Sequence, residues 1–183
     1  MFILYALVIG LLLGFVLRGR LAGLATVQFY WPWLAIAGFA VQLVLFSDPV
    51  GDRIGEAGPP IYVASTVAVL VAVLRNVRVP GLALVALGAA SNLAAIVANG
   101  GFMPASQGAL DALGGSINPG YTNSAVVAAP ALEPLTDLYA MPPWLPFANI
   151  FSIGDVLIGV GVVIVVVVGM RAAPRPATAE PAG

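Results

Sequence analysis

Cysteine, histidine and lysine are all missing from this 183-residue chain. Without cysteine there are no disulfides and no thiol nucleophile, and without histidine the imidazole-ligated haems and the common zinc sites are excluded. No metal or other cofactor is expected. Charge of either sign is scarce: Asp, Glu, Lys and Arg make up 8% of the residues, where a soluble domain carries about 25%. The net charge is −1 with no basic cluster, which argues against a nucleic-acid partner. Nucleophile elbows, phosphate loops and zinc-ligand patterns are absent as well.

What fills the chain is apolar. Hydrophobic residues make up 61%, and the mean hydropathy is +1.04. Five apolar runs stand out: Phe2–Leu17, Phe29–Phe46, Ile61–Leu74, Gly81–Val97 and Ile153–Met170. Each has an apolar core of about 14–18 residues, the short end of the roughly 20 that span a bilayer. The first run has no positive segment before it and no cleavage site after it, so it reads as a retained helix. The expected fold is therefore an all-α integral membrane protein of five transmembrane helices. Residues 1–170 form one domain, followed by a disordered tail over 171–183, rich in Pro and Ala. The abundance of Ala, Val, Gly and Pro suggests a bacterial source, hence a multi-pass protein of the plasma membrane.

Charge sets the orientation. Arg18 and Arg20 follow run one, Arg75 and Arg78 lie between runs three and four, and Arg171 and Arg175 follow run five. If all five runs span, those segments share a side, and the opposite side holds only Arg53. The positive-inside rule then puts the N-terminus outside and the C-terminus in the cytoplasm. Tyr30, Trp31 and Trp33 would anchor the inner surface, Tyr62 and Trp144 the outer. The Arg75–Gly81 turn makes runs three and four an antiparallel hairpin.

A long outer loop, 99–150, joins helices four and five. Loops of this length are uncommon in compact proteins unless functional. It carries Asp111, Glu133 and Asp137, and turn signals at Asn99-Gly100-Gly101, Gly114-Gly115 and Asn118-Pro119-Gly120. Short helices are expected over Ala105–Leu113 and Ala131–Tyr139, and Ala125–Leu132 could dip into the outer leaflet.

Polar residues within the spans are costly, so their depth is informative. Gln42, Ser65, Thr66 and Asn92 lie roughly 6–9 Å below the outer end at 1.5 Å per residue, and Asp155 sits in the first turn of helix five. With Asn99 they outline a candidate outward-facing polar pocket. The alternative is interhelical glue, each side chain bonding a neighbouring helix. The inner halves lack polar groups, which disfavours a transporter. Ser152-Ile153-Gly154-Asp155 matches a capping box, so helix capping alone could explain Asp155. Gly10 and Gly14 read as a packing pair.

Two elements carry a resemblance. Asn99–Pro104, containing Gly100, Gly101, Met103 and Pro104, and Asn149–Gly159, containing Ser152, Gly154 and Asp155, together resemble an uncharacterised family of small bacterial integral membrane proteins. That family implies no activity. Phe151–Gly159 also resembles the segment of lipoprotein signal peptidase, a membrane aspartyl protease, that carries its second catalytic aspartate, and Asp155 falls on that residue. Ser91–Ala95 resembles the segment carrying the other, with Asn92 and Leu93 matching, but Ala95 stands in the aspartate's place. An aspartyl pair cannot form there, and Asp137 could supply the second carboxylate only by folding back over Asp155. The leading expectation is thus a non-enzymatic membrane protein whose outer pocket and loop bind a partner subunit, a lipid or a lipidated peptide. The alternative is an aspartyl-type peptidase using Asp155 with Asp137.

Overall fold

The computed structural model describes residues 2–115 and 124–172, and it is mostly helical. The five apolar runs become five helices: α1 (Phe2–Val16), α3 (Pro32–Leu45), α5 (Gly58–Arg75), α6 (Leu82–Ala98) and α8 (Ile153–Arg171). Short helices α2 (Leu21–Leu24) and α4 (Asp48–Ile54) fill two of the connections. Two of the helices, α5 with the residues leading into it and α8, are long and apolar enough to cross a membrane.

Side-chain contacts fix how the long helices run. Glycines of α1 meet α8 in register, Gly10 on Val163 and Val166 and Gly14 on Met170, so these two are parallel. Gly10 and Gly14 thus serve packing, as their spacing suggested. Antiparallel to α8 runs α6, with Gly88 against Gly154 and Gly81 against Gly161. Likewise α3 opposes α5: Gly38 lies on Val69, and Asn76 binds Tyr30. The helices therefore form a row, α1–α8–α6–α5–α3, and their polar connections collect at two ends. Arg18, Arg20, Arg75, Arg78 and Arg171 lie at one end. At the other are Asp52, Glu56, Asp111, Glu133, Asp137 and Asp155, with Arg53 alone among the described bases.

One apolar cluster joins Leu45, Tyr62, Ala95, Ile96 and Met103 at the acidic end, and a second joins Val73, Leu82 and Ala86 at the basic end. Large apolar side chains also face outward, among them Leu12, Val16, Trp33 and Leu43, the last 77% exposed. Helices apolar on both faces are those of a lipid-facing bundle or a larger core. Tyr62 departs from its expected anchoring role. It is 8% exposed, packed edge-on against Phe46, because its ring fills the gap between α3 and α6.

The loop is where the all-α expectation needs correction. Residues 103–105 form β1 (Met103–Ala105), which pairs in parallel with β2 (Ser124–Val126). β3 (Tyr139–Ala140) pairs antiparallel with β4 (Ile150–Phe151). The stretch expected to dip into a leaflet is thus partly strand, since β1 offers it backbone partners. A helix does form as α7 (Gln107–Leu113). The second expected helix shrinks to a single 3₁₀ turn, Glu133–Leu135, with Pro134 inside it and the chain extended after it. Helix α8 continues through Arg171, one residue past the expected boundary. Residues 173–183 of the expected tail, and the Asn118-Pro119-Gly120 turn, lie outside the described residues.

Candidate functional site

The first turn of α8 is built locally. Ser152 is its N-cap, accepting the Asp155 N–H at 3.1 Å, while Asp155 Oδ2 accepts the Ser152 N–H at 3.0 Å. This is the capping box that the sequence spacing suggests. From α6, Asn92 reaches the same turn and donates through Nδ2 to Asp155 Oδ1 at 3.0 Å. Ser152 Oγ lies 2.8 Å from Asn92 Oδ1 and 3.1 Å from Asp155 Oδ2, and its one proton serves either acceptor. Gly154 is glycine because Asn92 and the Gly88 backbone occupy the space that a Cβ would need. Sequence, cap and interhelical bond are thus one unit.

The loop brings a second carboxylate to this turn. Asp137 is fixed by its backbone, its N–H donating to Pro104 O at 2.9 Å and its C=O accepting from Ser106 N at 3.0 Å. It is 6% exposed, and among the described residues no hydrogen bond reaches its carboxyl group. Burial, with the charge of Asp155 adding to it, raises its pKa from 3.8 to about 7. Asp137 therefore changes charge near neutral pH, an uncommon property for an aspartate.

Both aspartates line one cavity of about 540 Å³ between the start of α1, the loop and α8. Its apolar wall is Phe2, Ile3, Leu4, Leu7 and Val162. Asn149 adds a third polar group, with Nδ2 donating to Ile150 O at 2.8 Å and Oδ1 buried without a partner among the described residues. A buried acceptor of that kind awaits a donor. The start of α1 is tied to β4 and the loop at two points. Phe2 stacks on Phe151 with ring centroids 4.7 Å apart, and Tyr5 OH donates to Pro146 O at 2.5 Å.

The six polar residues of the expected pocket fall into three separate hydrogen-bonded groups. Gln42 Nε2 donates to Ser65 Oγ and Thr66 Oγ1, each at 3.3 Å, and both hydroxyls also bond Tyr62 O. That group joins α3 to α5 as glue. Asn99 holds the loop, bonding the N–H and C=O of Ala131 at 2.8 Å each. Only the Asn92–Ser152–Asp155 group adjoins the cavity, and of the six Asp155 lines it. Gly101 adopts φ +91 with Pro59 against it, which accounts for a glycine at that motif position. Met103 and Pro104 are buried in β1, where Pro104 supplies the acceptor for Asp137.

Ala95, where the expected resemblance to the peptidase would put an aspartate, is fully buried among Leu45, Tyr62, Ile96 and Met103. No carboxylate is accommodated in that apolar cluster. Sequence reasoning missed Asn149 as a site residue, although it opens the second motif. It also missed Asn76, whose buried amide clamps both the N–H and C=O of Tyr30.

No group of three or more metal-ligating side chains occurs among the described residues. No curated protein and no solved structure matches the chain. One family profile does match, over residues 26–167, and covers α3 through most of α8 with the loop between α6 and α8. On that match the chain belongs to the Family of unknown function (DUF5317).

Proposed function

We propose that this chain is a multi-pass protein of a bacterial plasma membrane, its five long helices crossing with the N-terminus outside and the C-terminus in the cytoplasm. We further propose that its outer cavity hydrolyses an amide of a membrane-anchored or lipidated peptide. The arginine-rich end and the acidic end support that orientation through the positive-inside rule. The observation that carries the catalytic reading is the convergence of Asp137 and Asp155 on one apolar-walled cavity. The sequence set folding back of Asp137 as the condition for an aspartyl pair, and this convergence favours the enzyme over the leading expectation of a non-enzymatic protein.

The chemistry needs one carboxyl group carrying a proton and one lacking it. Asp137, with a pKa near 7, is the acid, and Asp155 is the base. Water attacks the carbonyl carbon and gives a proton to Asp155, while Asp137 donates its proton to the carbonyl oxygen. The tetrahedral diol then collapses and the C–N bond breaks. Asp155 returns its proton to the leaving amine, and the diol returns one to Asp137. Asn149 Oδ1 is suited to accept a substrate peptide N–H. Phe2, Ile3, Leu4 and Leu7 would hold an acyl chain or an apolar side chain.

The capping box favours a second reading, in which Asp155 only starts α8 and the cavity binds a partner subunit, lipid or lipidated peptide without chemistry. The two readings separate in proteoliposomes at pH 6 supplied with palmitoylated, internally quenched peptides. Hydrolysis is expected, falling about 10²-fold or more in Asp137→Asn and in Asp155→Asn. Peptide retained intact by wild type would favour binding alone.

A further inference from the structure

A second cavity, of about 490 Å³, lies at the opposite end of the molecule. It is lined by Arg18, Arg20 and Arg171 together with Leu17, Gly23 and Met170. Among the described residues every acidic one belongs to the other end, so the three arginines that line this cavity have no described carboxylate beside them. The basin is rigid. Arg20 N–H donates to Met170 O at 2.7 Å, and Gly23 packs directly on the carbonyls that end α8.

Arg18 is the telling residue. Helix α1 ends in a Schellman motif, Gly19 N–H bonding Gly14 O at 2.8 Å and Arg18 N–H bonding Phe15 O at 2.9 Å. Arg18 occupies the left-handed position of that motif with φ 61, where glycine is the usual and least strained residue. Compensation of the α8 dipole explains Arg171 in its last turn. Dipole compensation likewise allows a positive side chain at the end of α1, but it does not call for one at the left-handed position. Beside the basin runs a largely apolar groove of about 390 Å³ that includes Val27, Val79, Pro80, Val165 and Val168, and Ala172 lines both cavities.

We infer that the arginine basin holds the phosphate of an anionic phospholipid and the adjoining groove takes one of its acyl chains. The inference rests on the membrane-spanning reading and is independent of the hydrolytic one. Guanidinium forks match phosphate oxygens, and a juxtamembrane arginine meets anionic headgroups at this depth.

The test uses full-length protein in a neutral detergent, titrated with phosphatidylglycerol, phosphatidylcholine or inorganic phosphate, with native mass spectrometry and thermal melts as readouts. One retained phosphatidylglycerol and a rise in melting temperature are expected, with neither from phosphatidylcholine or inorganic phosphate. Apparent affinity should fall about fivefold for each arginine removed in Arg18→Gly and Arg20→Gln. Arg18→Gly should melt no lower than wild type without lipid, because glycine suits that backbone. Unchanged binding in the double variant, or equal binding of phosphatidylcholine, would overturn the site. Equal stabilisation by inorganic phosphate would overturn the lipid as its occupant. Loss of the membrane-spanning premise registers separately, as protein released from membranes by alkaline carbonate without detergent.

Discussion

Asp137 trades stability for a proton. Its folded pKa of about 7 lies above the ordinary 3.8, so the folded state holds the proton more tightly than the unfolded chain. The sign follows from linkage: stability is full below about pH 4, declines as pH rises toward 7 and levels off above it. Ionising this buried group costs on the order of 4 kcal/mol at 1.36 kcal/mol per pKa unit. Asp137→Asn should therefore raise the melting temperature at pH 8 and change it little at pH 4.5, in paired melts. A residue whose removal stabilises the fold is kept for function rather than for packing. Asp155 is expected to behave differently. Asp155→Ala should cost about 0.5–2 kcal/mol by losing the cap, while Asp155→Asn should keep most of that stability yet lose hydrolysis. Melts and cleavage assays on the same samples separate the two roles. The cap was legible in the sequence because Ser152 and Asp155 are three residues apart. The contacts of Asp137 were not, since they depend on Pro104 and Ser106 more than thirty positions away in the chain.

The helices meet through glycine. At Gly154 an added Cβ would run into the Asn92 amide and the Gly88 carbonyl. Gly154→Ala should cost about 1–3 kcal/mol and disturb the Asn92–Asp155 bond. Gly115→Ala meets none of the described residues and should stay within about 0.5 kcal/mol of wild type. Chemical melts of the pair would show the contrast. Runs of fifteen or so apolar residues marked α1, α3, α5, α6 and α8 in the sequence, because burial of a helical backbone needs little else. The loop strands gave no comparable signal. β1 and β2 have three residues each and are separated by α7, and no two-residue period can be read from so short a segment.

At the scale of the whole molecule, charge and connectivity agree on two chemically distinct ends. Because the chain lacks cysteine, single thiols report sidedness directly. Ala128→Cys in the loop should be labelled by an impermeant maleimide in intact cells, and Val77→Cys in the α5–α6 turn only after lysis. The reverse pattern would place the aspartate cavity on the cytoplasmic side. That cavity is itself a product of the whole fold, with one aspartate from the loop, one from α8 and a wall from α1. The pairing of the two carboxyl groups is tested most directly by titrating Asp137 through its protonated-carboxyl infrared band, in wild type, Asp137→Asn and Asp155→Asn. The account predicts a band titrating near pH 7 that vanishes in Asp137→Asn and shifts to lower pH in Asp155→Asn, where the neighbouring charge is gone. An Asp137 that titrates like an ordinary surface carboxyl group, indifferent to Asp155→Asn, would contradict it.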